Sequence, residues 1–233
     1  IFMLDFDYMT KISELSLFFP TYNEEKNIKR VVQDAKKVLE RVANTWEIII
    51  VNDGSKDNTK EVALGLAKYD KRIRVINHQI NKGYGGALKT GFKNSRYDWV
   101  SFTDADGQFD FSEITAFIEK QKDVKADLVL GFRIKRADSF VRKTGAFFWF
   151  LIPRILWGLN VKDYSCGFKL IKSAVFNSIQ PLIGEEKVTQ IELLVKAKKQ
   201  GFKFAEVGVH HYPRRFGKQT GADLKVVAKS FID

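Results

Sequence analysis

Apolar runs alternate with amphipathic segments from Leu15 to Gly131, and this alternation restricts the fold more than any other feature of the sequence. The segments between the runs place apolar residues at helical spacing. Strands that alternate with helices form an open, mostly parallel α/β sheet, so we expect an α/β fold. The predicted strands are Leu15–Pro20, Trp46–Val51, Ile73–Ile76, Trp99–Thr103 and Asp127–Gly131. The predicted helices are Glu25–Arg41, a segment ending near Tyr69, Gly83–Ser95 and Phe111–Gln121.

The pattern changes after Arg133. The sequence predicts a strand at Gly167–Ile171, a helix at Gln190–Gln200 and a last strand at Phe204–Val209. The strongly apolar segment Ala146–Trp157 is shorter than the ~20 residues of a transmembrane helix. It is also interrupted by a proline and an arginine, so we expect an interfacial or buried segment.

The chain has the size and composition of a single folded domain. Its 233 residues are 45% hydrophobic, and no linker or repeat divides them. We expect an N-terminal extension at residues 1–14 and one domain at residues 15–233. The single cysteine, Cys166, excludes a disulfide framework and a cysteine-based metal site, and we expect it to be a packing residue.

Positive charge is concentrated in the second half of the chain. The formal net charge is +11, whereas the segments 133–154 and 196–229 carry six and nine basic residues against one and two acidic ones. We therefore expect a basic face formed by the second half. Nucleic acid, anionic lipid and phosphorylated small molecules are candidate partners for such a face.

Polar residues follow the predicted strands, where ligands of open α/β sheets bind. Asp104 and Asp106 come directly after the fourth strand, and Gln108 follows two residues later. Carboxylates at this spacing suit Mg²⁺ or Mn²⁺ held jointly with a diphosphate. The alternative is a simple turn, in which aspartate and glycine are common.

Two further strand ends carry candidate residues. Asp53 ends the second strand, where it could accept a hydrogen bond from a base or ribose, or only cap the next helix. The glycine-rich segment Asn81–Gly91 matches neither the dinucleotide-binding nor the P-loop spacing. We expect its glycines to let a helix start close to the sheet.

Seven ordered motifs between Leu15 and Lys218 resemble those of family-2 glycosyltransferases, and more narrowly those of dolichyl- or polyprenyl-phosphate sugar synthases. They are Pro20-Thr-Tyr-Asn-Glu24, Val51-Asn-Asp-Gly-Ser55, Asn81-Lys-Gly-x-Gly85 with Ala87 and Gly91, Asp104-Ala-Asp106-x-Gln108, Gly131-x-Arg133, Asp163-x-x-Cys-Gly-Phe-Lys169 and Arg214-x-x-Gly217.

The resemblance implies a GT-A fold, a GDP- or UDP-linked sugar donor, a divalent metal and an inverting transfer. It implies that residues 15–133 form the donor-binding half and residues 134–233 the half that faces the acceptor and the membrane. The implied metal ligands are Asp104, Asp106 and Gln108. The implied catalytic residues are Asp106, Arg133 and Arg214. The residues implied to bind the nucleotide sugar are Pro20, Tyr22, Glu24, Val51, Asp53, Lys82, Asp104, Ala105, Asp106, Arg133, Arg214 and Lys218.

One position departs from the resemblance. Many relatives carry aspartate two residues before the glutamate that matches Glu192, and this chain has Gln190 there. A lipid-phosphate acceptor tolerates the loss of a base, because a phosphate monoester is already an anion near neutral pH. We therefore expect transfer to a polyprenyl phosphate at the cytoplasmic face of a membrane, by a peripheral protein or one anchored by helices beyond this chain.

Two alternatives remain at this point. A transferase acting on a saccharide hydroxyl would use the same donor half. A basic nucleic-acid-binding module would explain the charge but not the acidic strand ends, so we expect no nucleic-acid partner. The segment Tyr212–Lys218 is either a mobile basic flap over the phosphates or a solvated loop. His210 and His211 either line the phosphate site or belong only to this polar loop.

Overall fold

The computed structural model describes residues 11–134, 153–186 and 188–217. Its strands are β1 (Ile12–Thr21), β2 (Ala43–Asn52), β3 (Ile73–Asn77), β4 (Trp99–Phe102), β5 (Leu128–Arg133), β6 (Lys169–Lys172) and β7 (Phe204–Val209). Its helices are α1 (Ile28–Val42), α2 (Thr59–Tyr69), α3 (Gly83–Asn94), α4 (Ile114–Val124), α5 (Ser173–Ser178) and α6 (Val188–Lys199). A 3₁₀ turn at Phe111–Glu113 precedes α4, and residues 153–157 are helical.

The described strands form one seven-stranded sheet in the order β3-β2-β1-β4-β6-β5-β7. All neighbours are parallel except β6, which runs antiparallel to β4 and to β5. The expected mostly parallel α/β sheet is confirmed. Because β1, β2, β4 and β5 are parallel within this sheet, their carboxyl ends point to the same edge.

Helices cover both faces of the sheet, and each face has its own apolar cluster. One cluster joins the sheet to α1, α2 and α4, and the other joins it to α3, α5 and α6. Helix α1 buries a single stripe at the predicted helical spacing, which begins at Ile28 and ends at Val42. Strands covered on both faces read as continuous apolar runs, as Ile48–Val51 of β2 does.

Glycines let α3 lie close to its neighbours, although the close approach to the sheet is near the end of the helix and not at its start as predicted. A Cβ atom on Gly91 would overlap the ring of Phe18 in β1, and one on Gly85 would overlap the Thr189 side chain in α6. Phe18 is fully buried, so the ring has no room to move away. Gly91 therefore permits the short distance between α3 and the sheet, and Gly85 permits the short distance between α3 and α6.

Some boundaries differ from the predictions. Strand β1 begins at Ile12 instead of Leu15, and the short helix α5 was not predicted. Within the expected interfacial segment, residues 153–157 are described, and Ile155 and Leu156 are 69% and 64% exposed. Residues 142–152 and Lys218 lie outside the described residues. In the described part of the chain, no helix combines the length and apolarity needed to cross a membrane.

Candidate active site

Acidic side chains from two strand ends meet Arg214 at the carboxyl edge of the sheet. Glu24 follows β1, and Asp106 lies in the turn that follows β4. Arg214 contacts both: its Nη2 donates to Glu24 Oε1, and its Nη1 lies 3.4 Å from Asp106 Oδ2. These contacts join residues 190 and 108 positions apart in sequence. The fold therefore brings carboxylates from two strand ends to one guanidinium.

Arg214 reaches the site from the segment 210–217, here called the C-terminal loop, which follows β7. Its Nε also donates to the Phe216 carbonyl at 2.6 Å, so all three guanidinium nitrogens are engaged. The arginine side chain is 15% exposed, whereas Arg215 is exposed. The structure thus distinguishes a directed arginine from its neighbour in the same loop.

Glu24 is held by its own loop as well as by the arginine. Its Oε2 accepts a hydrogen bond from Asn27 Nδ2 at 2.7 Å, and the same amide lies 3.3 Å from the Phe216 carbonyl. Burial raises the pKa of Glu24, and the hydrogen bonds and the arginine charge oppose that rise. The carboxylate is therefore a buried acceptor that depends on its partners.

Asp104 is enclosed by residues of two other segments. Tyr84, near the start of α3, donates its hydroxyl to Asp104 Oδ1 at 3.0 Å. Gly167 packs so closely that a Cβ atom there would overlap the carboxylate. Burial raises the pKa of Asp104 to about 7, and the neighbouring charge of Asp106 adds to the rise. This carboxyl therefore favours a nearby cation.

Asp106 and Gln108 occupy the turn after β4 and differ in what they contact. Asp106 Oδ1 accepts a hydrogen bond from the Gln108 backbone N–H at 3.0 Å, and burial raises the pKa of this carboxyl. The Gln108 side-chain amide donates instead to the Tyr212 carbonyl at 2.9 Å, while Tyr212 N–H donates to the Gln108 carbonyl at 2.8 Å. Gln108 thus clasps the C-terminal loop to the acidic turn.

The donor set fits a divalent metal that completes its shell from outside the protein. Among the described residues, no group of three or more histidine, cysteine, aspartate or glutamate side chains could hold a metal ion. Asp104 and Asp106 could supply two hard anionic ligands, and the Arg214 guanidinium forms an ion pair with Asp106. Mg²⁺ and similar ions commonly use one or two carboxylates together with water and substrate phosphates.

Asp53 follows β2 directly and organises the segment before α3. Its Oδ1 accepts a hydrogen bond from the Lys82 backbone N–H at 2.8 Å and lies 2.6 Å from His78 Nδ1. Gly54 has φ +66°, and a Cβ there would come within 2.7 Å of the Asn81 nitrogen. Only glycine fits this close approach without strain.

Arg133, at the end of β5, is held by a bidentate ion pair. Its Nε and Nη2 lie 2.7 and 3.0 Å from the two oxygens of Asp163, and Nη2 also donates to Ser165 Oγ at 3.2 Å. The guanidinium charge lowers the pKa of Asp104 against the effect of burial. Arg133 therefore acts on the acidic turn electrostatically while the Asp163–Lys169 motif holds it in place.

Lys169 is a buried lysine to which the sequence assigned no role. It is 1% exposed, and its ammonium donates to the carbonyls of Tyr164 and Cys166 and to Gln190 Oε1. Burial lowers the pKa of Lys169 to about 8. The ammonium thus fixes the motif that carries Asp163 and Gly167.

The two residues of helix α6 that the sequence analysis singled out are both engaged in contacts within the fold. Gln190, 3% exposed, is occupied by Lys169. Glu192 accepts hydrogen bonds from the backbone N–H groups of Ile183 and Gly184 and pairs with Lys196 at 2.6 Å. Among the described residues of α6, neither the glutamine nor the glutamate two residues on is placed as a general base.

The other predicted residues occupy different environments. Val51 and Ala105 are buried in the apolar clusters, so only their backbone atoms could meet a ligand. Pro20 is buried at the end of β1, Tyr22 is half-buried, and Lys82 is exposed at the start of α3. These residues lie near the same edge of the sheet, and their side chains make no hydrogen bond or ion pair within the described part of the chain.

The cysteine and the two histidines considered in the sequence analysis have defined surroundings. Cys166 is fully buried, and burial raises the pKa of its thiol to about 11, as suits a packing residue. His210 Nδ1 and its backbone N–H both contact Glu113, which fixes the base of the C-terminal loop. His211 packs its ring 5.1 Å from that of Phe109.

Comparison with known proteins adds a family to this geometry. The model of the family described as glycosyl transferase family 2 matches residues 16–180. The chain is 30% identical over 221 residues to the dolichyl-phosphate beta-glucosyltransferase of Saccharomyces cerevisiae, covering 84% of this chain and 66% of the yeast protein. It is 29% identical over 212 residues to the dodecaprenyl-phosphate galacturonate synthase of Rhizobium johnstonii, covering 88% and 60%. The chain thus spans less than two thirds of the length of these relatives.

A solved structure shows the same fold. Glucosyl-3-phosphoglycerate synthase from Mycobacterium tuberculosis, crystallised with Mn²⁺ and uridine-diphosphate-glucose, superposes with a TM-score of 0.68 at 19% identity. The similarity covers 94% of this chain and 76% of that protein. At this identity the likeness concerns the fold alone, and it confirms the expected GT-A fold.

Proposed function

This chain belongs to glycosyl transferase family 2, and on that premise we propose that it transfers a sugar from a nucleoside-diphosphate donor to a polyprenyl phosphate. The observation that carries the proposal is the Arg214 guanidinium held between Glu24 and Asp106, in the acidic turn that also carries Asp104. The carboxylates of this arrangement suit the metal of a metal-bound diphosphate, and the guanidinium suits its phosphates. The yeast and Rhizobium relatives are a dolichyl-phosphate and a dodecaprenyl-phosphate enzyme, which supports a lipid-phosphate acceptor.

We assign the donor to the carboxyl ends of β1, β2 and β4. Asp53 would accept a hydrogen bond from the base, and Arg214 would leave Glu24 and Asp106 to bind the diphosphate. A guanidinium can bind two phosphate oxygens at once, which suits this exchange. The Mycobacterium tuberculosis structure, solved with uridine-diphosphate-glucose, supports a UDP-linked donor, and a GDP-linked donor is the second possibility.

Asp104 and Asp106 would hold the metal, and either Mg²⁺ or Mn²⁺ suits their carboxylate oxygens. Bound there, the ion would neutralise charge that develops on the leaving diphosphate. Arg133 and Lys169 add fixed positive charge near Asp104. The protein's own contribution is to hold these charges in fixed positions, so that they need not reorganise during the reaction.

The reaction itself needs no general base from this chain. An acceptor phosphate oxygen attacks the anomeric carbon, the bond from that carbon to the donor diphosphate breaks, and the nucleoside diphosphate leaves with the electron pair. The acceptor is already anionic, so no proton has to be removed from it. This agrees with an α6 in which Gln190 and Glu192 both serve the structure.

We place the reaction at the cytoplasmic surface of a membrane, where a polyprenyl phosphate presents its headgroup. Ile155, Leu156 and Trp157 are exposed on the helical residues 153–157 next to the exposed Arg154. Apolar side chains beside a basic one are typical of segments that lie in a membrane interface.

The test is transfer from a panel of UDP- and GDP-linked sugars to polyprenyl phosphate, in the presence and absence of Mn²⁺. The proposal expects a lipid-phosphate sugar with one donor, and no product from the Asp106→Asn variant, whose folding should remain close to wild type. A saccharide in place of the lipid phosphate is the matched acceptor. Transfer to the saccharide but not to polyprenyl phosphate would refute the acceptor assignment.

A further inference from the structure

His78 is a buried histidine directly after β3 that neither the motifs nor the proposed reaction uses. The side chains of His78 and Asp53 are 5% and 4% exposed. The histidine Nδ1 lies 2.6 Å from Asp53 Oδ1, and its Nε2 lies 2.9 Å from Thr90 Oγ1 in α3. The ring therefore bridges the end of β2 and the glycine-rich helix.

Both nitrogens of the His78 ring have a partner. A carboxylate accepts hydrogen bonds, so Nδ1 carries a hydrogen and donates it to Asp53. The Thr90 hydroxyl can either donate to Nε2 or accept from it. A histidine with both nitrogens engaged holds its ring plane, and through it the plane of the carboxylate.

The two oxygens of Asp53 are used unequally. Oδ1 accepts from His78 and from the Lys82 backbone N–H at 2.8 Å. The main chain of Asp53 is fixed too, because its carbonyl accepts from Asn81 Nδ2 at 3.0 Å and its N–H donates to the Thr21 carbonyl at 2.8 Å. In the part of the chain that the structure describes, no group donates to Oδ2. The Asp53 carboxylate is thus held through Oδ1, while Oδ2 can accept a further hydrogen bond.

We propose that His78 is a positioning residue for nucleobase selectivity: it orients Asp53 so that Oδ2 accepts a hydrogen bond from a ring N–H of the donor base. The inference rests on the proposed function. Uracil and guanine carry such an N–H at N3 and N1. Cytosine and adenine present a ring lone pair at the corresponding edge, which would face an anionic oxygen. A site built to accept a hydrogen bond strongly rejects a ligand that lacks the donor.

The competing explanation is that His78 only links β3 to α3. Its backbone N–H already donates to the Asn52 carbonyl at 2.9 Å, so it contributes to the fold as well. A loss of stability in a variant would not separate the two explanations. Discrimination against a base without its ring N–H would, because this property depends on the orientation of the Asp53 carboxylate.

The experiment compares the binding of UDP and of 3-methyluridine diphosphate by calorimetry, with GDP and 1-methylguanosine diphosphate as the second pair. Wild type should bind the methylated form of its nucleotide more than tenfold more weakly. His78→Ala should bind the unmethylated nucleotide more than tenfold more weakly and discriminate by less than threefold. His78→Asn, which keeps a donor near the place of Nδ1, should recover most of the discrimination.

Asn77→Ala is the matched control. Asn77 Oδ1 accepts from Asn52 Nδ2 at 2.9 Å, which is a neighbouring side-chain contact between β2 and β3 that does not touch Asp53. This variant should keep the discrimination of wild type. If His78→Ala does not fold, His78→Phe keeps a ring of similar size without either nitrogen and should lose the discrimination.

The outcomes separate the inference from the function on which it rests. A wild-type protein that binds neither UDP nor GDP contradicts the proposed function. A wild type that binds its nucleotide but tolerates N-methylation overturns the inference, and so does a His78 variant that discriminates as well as wild type.

Discussion

Replacing Arg214 by lysine tests whether the C-terminal loop makes directed contacts or supplies general positive charge. The three guanidinium nitrogens contact three different groups, the carboxylates of Glu24 and Asp106 and the Phe216 carbonyl. A lysine ammonium is a point charge on a flexible stem and cannot keep all three contacts at once. Arg214→Lys therefore keeps the positive charge but loses the set of three directed contacts.

The size of the effect follows from the hydrogen bonds that lysine cannot make. A hydrogen bond to a charged group is worth about 1.5–3 kcal/mol, and partial exposure of the arginine favours the lower end of that range. Removing one or two of these hydrogen bonds would therefore cost about 1.5–3 kcal/mol. If the same nitrogens hold the phosphates in the transition state, turnover falls more than tenfold, since ~1.4 kcal/mol corresponds to a factor of ten.

The assay is the initial rate of sugar transfer at saturating donor and polyprenyl phosphate. Arg215→Lys is the control, because Arg215 is exposed and makes no hydrogen bond or ion pair with the described residues. Its rate should stay within about threefold of wild type. Equal and small effects at both positions would refute the directed contact and leave a loop of general attraction.

Three further predictions concern the fold, the acidic turn and the exposed apolar residues of the segment 153–157. Gly91→Ala should lower the free energy of unfolding by about 1–3 kcal/mol in denaturant titrations, because its Cβ overlaps a buried ring, whereas Gly65→Ala, with nothing within 4 Å, should be neutral or stabilising. Burial raises the pKa of Asp104 to about 7, so the metal-free folded state binds more protons than the unfolded chain between about pH 4 and pH 7. Its stability should therefore fall as pH rises through that range, and thermal melts of Asp104→Asn should show a flatter slope. Serine at Ile155 and Leu156 should reduce flotation with anionic liposomes without changing the melting temperature, since both side chains are exposed; unchanged flotation would contradict a membrane role for these residues.

The α/β fold and the acidic residues at the strand ends could be predicted from the sequence, because both follow from the local pattern of apolar and polar residues. Continuous apolar runs mark strands covered on both faces, and the parallel arrangement then carries Asp53, Asp104 and Arg133 to one edge. The insertion of antiparallel β6 between β4 and β5 was not accessible. It depends on pairing across long separations, such as Leu130 with Lys169, that no local pattern records.

The sequence predicted which residues lie at the site better than it predicted which groups they contact. Gln108 was expected to bind metal, and that role stays a prediction, while the structure shows its amide on the Tyr212 carbonyl. His78 belongs to none of the sequence motifs. Lys169 is the last residue of one motif, but the sequence analysis assigned it no role. Their roles come from burial and from partners distant in the chain, which only the folded structure supplies.

Lys169 has a consequence for how the protein responds to ionic strength. Its acceptors, the carbonyls of Tyr164 and Cys166 and the amide of Gln190, are all neutral, and the ammonium lies inside the protein next to the acidic turn. Dissolved ions weaken the interactions of exposed charges, such as that of Arg215, at separations beyond about 10 Å. They weaken the interactions of a buried charge far less. Raising the ionic strength should therefore raise the KM for both anionic substrates while leaving kcat almost unchanged, because encounter depends on the surface and the chemical step on charges that dissolved ions do not reach.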